Sequence, residues 1–200
     1  MVSAPSDLAS VAPISLKMVI AGGFGVGKTT TVASISEIEP LTTEAAMTEV
    51  AGGIALATFT PANVDTTVAL DFGRITFDDL VLYLFGTPGQ ERFSFMWDEL
   101  ARGAIGAIVI ADTRRIADSF PALDYFEARG IPFVVGVNTF DGLALHTTAE
   151  VYEAIAVSPD IPVVFYDARD RDQVKSVLVT LVEHALGRAR VELVGANSLR

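Results

Sequence analysis

The sequence predicts an α/β domain: a central, mainly parallel sheet of roughly six strands with helices on both faces. Three observations predict it. Strand-sized apolar runs alternate along the chain with stretches of helical length and pattern. Most of those runs are nearly unbroken rather than alternating, as strands covered on both faces require. A glycine-rich segment, Gly22-Gly23-Phe24-Gly25-Val26-Gly27-Lys28-Thr29, joins the first run to the first helical stretch.

Taken in order, residues 1–13 are rich in Ser, Ala and Pro and read as a loose leader, with the domain itself expected over 14–187. Strands are expected at 16–21, 71–77, 80–85, 107–111, 133–137 and 163–166. Helices are expected at 28–37, 93–102 and 149–156. Ser119 stands as the cap of a further helix that has Pro121 in its first turn and ends near Gly130. The last helix is the best signalled. Asp170 and Gln173 have capping-box spacing, and Val174, Val177, Leu178, Leu181, Val182, Ala185 and Leu186 make one apolar stripe. Residues 188–200 read as a short tail without helical periodicity. Sheets of this kind bind ligands outside the carboxyl ends of their strands, and the motifs below fall at that edge.

Composition narrows the function. The 200 residues carry a net charge of −11, and the isoelectric point is about 4.5. So acidic a surface repels nucleic acid and anionic lipid, so any bound phosphate must be held locally rather than by the overall field. Cysteine is absent, which excludes a disulfide framework, thiolate metal sites and prenyl or palmitoyl anchors. No apolar run reaches membrane-spanning length and no secretory signal is evident. A cytoplasmic protein without a direct membrane anchor is the simplest expectation.

The segment 22–29 matches G-x-x-x-x-G-K-[ST], a phosphate-binding loop. Glycines let the backbone curl around an anion with its N–H groups inward, and the helix that follows adds its N-terminal dipole. Lys28 reaches β- and γ-phosphates in such a loop, and the Thr29 hydroxyl is a magnesium ligand. A glycine-rich turn with a chance lysine is the bland alternative, but it does not require the strand-to-helix position seen here. Downstream, Val137-Asn138-Thr139-Phe140-Asp141 follows a strand on the same edge. A carboxylate there accepts from the N1–H and 2-amino groups of guanine. Adenine offers neither donor and would leave Asp141 unpaired, at a cost. Alone, N-x-x-D is equally a strand-end turn.

The order of phosphate loop, Thr-rich segment, T-P-G-Q-E and N-x-x-D resembles the small Ras-like GTPases over nearly the whole chain. Residues 84–93 resemble switch II of that family, 66–73 the end of switch I, and 166–169 its base-contacting loop. The chain is similar above all to GTPases encoded in actinobacterial conservon operons, and more distantly to the bacterial MglA-type GTPases. The resemblance implies a Ras-like P-loop NTPase fold and a switch that binds GTP and GDP with Mg2+ and hydrolyses GTP. Gly22, Gly25, Val26, Gly27, Lys28, Thr29 and Thr30 would line the phosphates. Thr29 and Thr67 would ligate magnesium, and the Gly89 N–H would sense the γ-phosphate. Gln90, orienting the attacking water, and Lys28 would be the catalytic residues. Asn138 and Asp141 would read the base, with the Ala168 N–H on the base oxygen and Arg169 beside it. A roadblock-type protein and a sensor-kinase-like membrane protein would be partners, with membrane association only through them.

The departures from the family pattern carry expectations too. Phe24 stands where Ras has glycine, Gly86 where most members have the aspartate that steadies magnesium, and Thr139 where N-K-x-D has lysine. Slow hydrolysis that needs a partner is expected, and weaker metal binding. A nucleotide-holding pseudo-GTPase and an ATP-dependent P-loop enzyme are the alternatives. Phe93, Phe95, Met96 and Trp97 read as core for the following helix, or else as a docking patch.

Overall fold

The computed structural model describes residues 13–39, 70–88 and 96–197. Of the segment expected to end switch I, residues 66–69 with Thr67, and of the expected switch II, residues 89–93 with Gly89 and Gln90, lie outside the described residues.

The strands are β1 (Ile14–Gly22), β2 (Asp71–Phe77), β3 (Leu80–Gly86), β4 (Gly106–Ala111), β5 (Phe133–Asn138) and β6 (Val163–Tyr166). They form one sheet in the order β2-β3-β1-β4-β5-β6. Every neighbouring pair is parallel except β2 with β3. The helices are α1 (Lys28–Ile35), α2 (Trp97–Ala101), α3 (Phe120–Ala128), α4 (Thr148–Ile155) and α5 (Arg171–Asn197). The predicted α/β architecture is thus the one observed.

Alternate residues of the central strands feed two cores. Val19, Phe85, Val109 and Val135 meet Leu100, Phe126 and Ile155 of α2, α3 and α4 on one face. Met18, Ile20, Ile108 and Val134 meet Val32 and Ile35 of α1 and Val174 and Leu178 of α5 on the other. The middles of these strands therefore had to be apolar at nearly every position, which is the pattern the sequence displayed. Met96 and Trp97 are buried, with the indole set edge-on to Tyr125 at 5.1 Å, so both belong to the core. Phe93 and Phe95 lie outside the described residues.

Most strand and helix ends shift by no more than a residue or two, and three departures from the sequence-based expectation have a clear physical cause. Helix α1 stops at Ile35 because Ser36 turns extended; its Oγ accepts the Arg74 N–H at 3.2 Å and so fastens the helix exit to β2. Ser119 does stand at the start of α3, but its hydroxyl donates back to the Ile116 carbonyl at 2.6 Å rather than capping the helix. The expected non-helical tail is corrected outright: α5 runs on to Asn197. Beyond Gly187 its apolar residues Val191, Leu193 and Val194 are exposed, so they form no buried stripe for the sequence to display. Good helix formers such as Leu186, Arg188 and Ala189 outweigh the single glycine, which costs about 1 kcal/mol.

The end of β6 meets α1 through a buried contact. The Tyr166 hydroxyl at the end of β6 lies 2.9 Å from Thr31 Oγ1 of α1. Gly136 makes room for that ring, since a Cβ there would sit 2.9 Å from Tyr166 Cε1. Burial pushes the Tyr166 phenol up, so it stays protonated and able to donate. Tyr166→Phe should cost about 1–3 kcal/mol by leaving the Thr31 hydroxyl unpaired. Urea denaturation followed by circular dichroism checks this, and the midpoint should fall with an unchanged slope.

Candidate functional site

The phosphate loop occupies the carboxyl end of β1, which lies between β3 on one side and β4 on the other, the switch point of the sheet. Gly22, Gly25 and Gly27 have φ of 136°, 71° and 111°, which L side chains rarely adopt. Space is as restrictive as torsion. A Cβ at Gly22 would lie 2.5 Å from the Ile110 carbonyl oxygen, and one at Gly27 would lie 2.6 Å from Asn138 Nδ2. Helix α1 starts at Lys28 with Gly27 as its cap and no side chain on its first amides, which remain available to an anion. Thr29 and Thr30 are exposed in its first turn, and Val26 is buried beneath the loop.

Lys28 is buried and its Nζ donates to the carbonyls of Gly22 at 3.0 Å and Gly23 at 2.6 Å. Burial pulls its pKa down to about 8, with the Asp71 carboxylate acting in the opposite sense. The Thr29 hydroxyl donates to Asp71 Oδ2 at 2.8 Å. Asp71 opens β2 and faces Gly86, its partner across the antiparallel ladder. A Cβ on Gly86 would lie 2.8 Å from Asp71 Cβ and 2.9 Å from its Oδ2.

At the other end of the site, Asn138 uses both ends of its amide. Nδ2 donates to the Val26 carbonyl at 2.9 Å and Oδ1 accepts the Ala168 N–H at 3.1 Å. One side chain thereby ties the phosphate loop to the loop after β6. The Ala168 N–H, expected on a base oxygen, is committed to Asn138. Arg169 is drawn onto Asp167, with Nη2 2.7 Å from Oδ2, and this pairing lowers the Asp167 pKa. Thr139 is buried, and its N–H bonds the Tyr166 carbonyl at 2.7 Å. Asp141 lies in the short turn Phe140–Gly142, directly after Asn138 and Thr139. Structure therefore brings together the phosphate loop, Asn138 and Ala168, with the turn holding Asp141 following Asn138 directly in the chain.

Three further residues join the site that the motifs did not reveal. Arg115 Nη2 donates to the Phe24 carbonyl at 2.8 Å, clasping the loop from the segment after β4. The neighbouring Arg114 guanidinium lies 3.9 Å from the Phe140 ring centre and pairs with buried Asp112 at 2.8 Å. That hydrogen bond is the main reason the Asp112 carboxyl sits below its usual range. The third is Asp71, and a signal for it existed. Phe77 pairs with Leu80 across the two-residue turn Asp78-Asp79, so counting outward along both strands sets 71 against 86.

Lys28 makes binding of a polyphosphate proton-linked. In the free protein its pKa is about 8, whereas phosphate oxygens favour the ammonium form and raise it. Below pH 8 the lysine is charged in both states; above it, binding must take up a proton. Affinity should therefore fall by up to tenfold per unit as pH rises past about 8. Titration calorimetry in buffers of differing ionisation heat should show proton uptake at pH 9 and little at pH 7.

A family model described as "Conserved hypothetical ATP binding protein" matches residues 20–188. An uncharacterized protein of Methanocaldococcus jannaschii is 30% identical over 139 residues, covering 68% of this chain and 77% of that one. Among solved structures, the G domain of the T. maritima FeoB iron transporter aligns with a TM-score of 0.60 at 19% identity, over 86% of this chain and 99% of that chain. The GDP form I of the FeoB cytosolic domain gives 0.62 at 19% identity, again over 86% of this chain. The chain spans only 64% of that cytosolic domain. At such identity these structures establish the fold, a G-domain-like α/β sheet. The family match and the archaeal relative go further: this chain belongs to the conserved hypothetical ATP binding protein family, and is a P-loop nucleotide-binding protein.

Proposed function

We propose that the protein binds GTP and GDP with magnesium, hydrolyses GTP slowly, and works as a signalling switch read by a partner protein. The observation that carries this is Asn138, whose amide holds the phosphate loop and the Ala168 loop together. The turn bearing Asp141 begins two residues after Asn138, which supports a purine reaching from the phosphate loop to that carboxylate. The printed family description names ATP; the carboxylate-bearing N-x-x-D turn favours guanine, because it accepts from donors that adenine lacks.

Hydrolysis would rest on Gln90 positioning water, with Lys28 and the loop amides stabilising charge on the phosphates. Phe24 favours slowness: it is 69% exposed on the phosphate loop itself, at a position where Ras has glycine. The same ring supports the second reading, a nucleotide-holding module that recruits a partner with little turnover. Resemblance to the conservon-encoded and MglA-type GTPases supports a roadblock-type protein and a sensor-kinase-like membrane protein as partners. Among the described residues no helix is long and apolar enough to cross a membrane. A cytoplasmic protein reaching a membrane through its partners fits that reading.

Base choice is tested by displacing a fluorescent GDP analogue. GTP should compete at least about 100-fold better than ATP, the cost of an unpaired acceptor, and Asp141→Asn should shift preference toward xanthine nucleotides. Equal displacement by ATP would favour the nucleotide that the family description names. Phosphate release should slow at least about tenfold in Gln90→Leu with nucleotide affinity unchanged. Identical, near-zero release in both proteins would favour the non-hydrolysing module.

A further inference from the structure

We propose that Asp71 is the carboxylate of the magnesium site, supplied from the edge strand β2 in place of the residue that Gly86 lacks. The inference rests on the nucleotide reading above and concerns which residue of this chain steadies the metal.

The argument begins with space. Asp71 and Gly86 are direct partners across the β2–β3 ladder, and the Asp71 side chain fills the volume that a side chain on Gly86 would need. The close approach to both Cβ and Oδ2 means that two carboxylates could not stand there together. Gly86 is thus the vacancy that lets the Asp71 carboxylate lean over the end of β3. A sheet with a carboxylate on either strand presents similar chemistry at that edge.

Direction follows. Asp71 accepts the proton of the Thr29 hydroxyl at 2.8 Å, which leaves the lone pairs of Oγ1 for a cation. Thr29 is the residue of the loop motif that ligates magnesium. The donor set is therefore one hydroxyl and one carboxylate, all oxygen, which suits magnesium. Among the described residues no group of three or more His, Cys, Asp or Glu is placed to hold a metal. Magnesium on a nucleotide needs no such cage; it takes one or two protein oxygens, phosphate oxygens and water. Asp71 is buried, so its charge is poorly screened by solvent and acts at short range on both Thr29 and Lys28. The carboxylate is held by Thr29 itself, so its orientation is set before any cation arrives.

The test uses the full chain and Asp71→Asn. Manganese affinity is read by electron paramagnetic resonance in the presence of GDP, and GDP affinity is read separately in EDTA. Asp71→Asn should weaken manganese binding about 10–100-fold, the usual effect of removing a supporting ligand, a loss larger than any change in GDP affinity measured in EDTA. Equal manganese affinity in the two proteins would overturn the assignment. Failure of the parent protein to bind GDP at all would instead sink the nucleotide reading, a distinct result. If Asp71→Asn also lowers the melting temperature, the double exchange Asp71→Gly with Gly86→Asp decides. Recovery of manganese affinity supports a carboxylate movable between the two strands, and no recovery overturns it.

Discussion

Three segments close onto the phosphate loop at distances that no Cβ would tolerate, and the site depends on that approach. Ile110 of β4 presses on Gly22, Asp118 on Gly23, and Asn138 of β5 on Gly27. Torsion alone would explain glycine at 22, 25 and 27, but Gly23 has no positive φ and is excluded from other identities by space. A loop so enclosed is held in its anion-binding shape by the sheet around it. Preorganisation of this kind avoids spending binding energy on ordering the loop.

The enclosure also accounts for the electrostatics. Burying Lys28 among carbonyls costs its ammonium form stability, yet leaves it poised at the centre of a strongly acidic molecule. Attraction for phosphate is consequently local, carried by loop amides, one lysine and the start of α1. Asn138 and Arg115 supply the mechanical side, each bonding a loop carbonyl from a different strand exit.

Much of this was legible in the sequence, and the reasons are physical. The loop motif, the apolar strands and the capping at Asp170 are local patterns. The last of these is present as Asp170 Oδ1 accepting the N–H groups of Asp172 and Gln173 at 2.9 and 3.1 Å. Contacts between distant segments were harder to see. Arg115 bonds Phe24 from inside the 3-10 turn Thr113–Ser119, where its own torsions, φ −145° and ψ 52°, are not helical. Asp71 looked like the first residue of a strand, and Gly86 like a loss; only their register turns the pair into a replacement. The contact of the Ala168 amide with Asn138 Oδ1, between segments thirty residues apart, was likewise invisible in the local pattern.

Helix α5 has a second half that behaves differently from its first. Val174, Val177, Leu178 and Leu181 anchor it in the core, while Val191, Leu193 and Val194 face water. A peptide of that outer length would rarely be helical alone, because forming the first turn is the unfavourable step. Here the buried half has already completed that step, and the rest is propagation. Order should therefore thin gradually toward Asn197, so that amide hydrogens exchange faster with each turn away from the sheet.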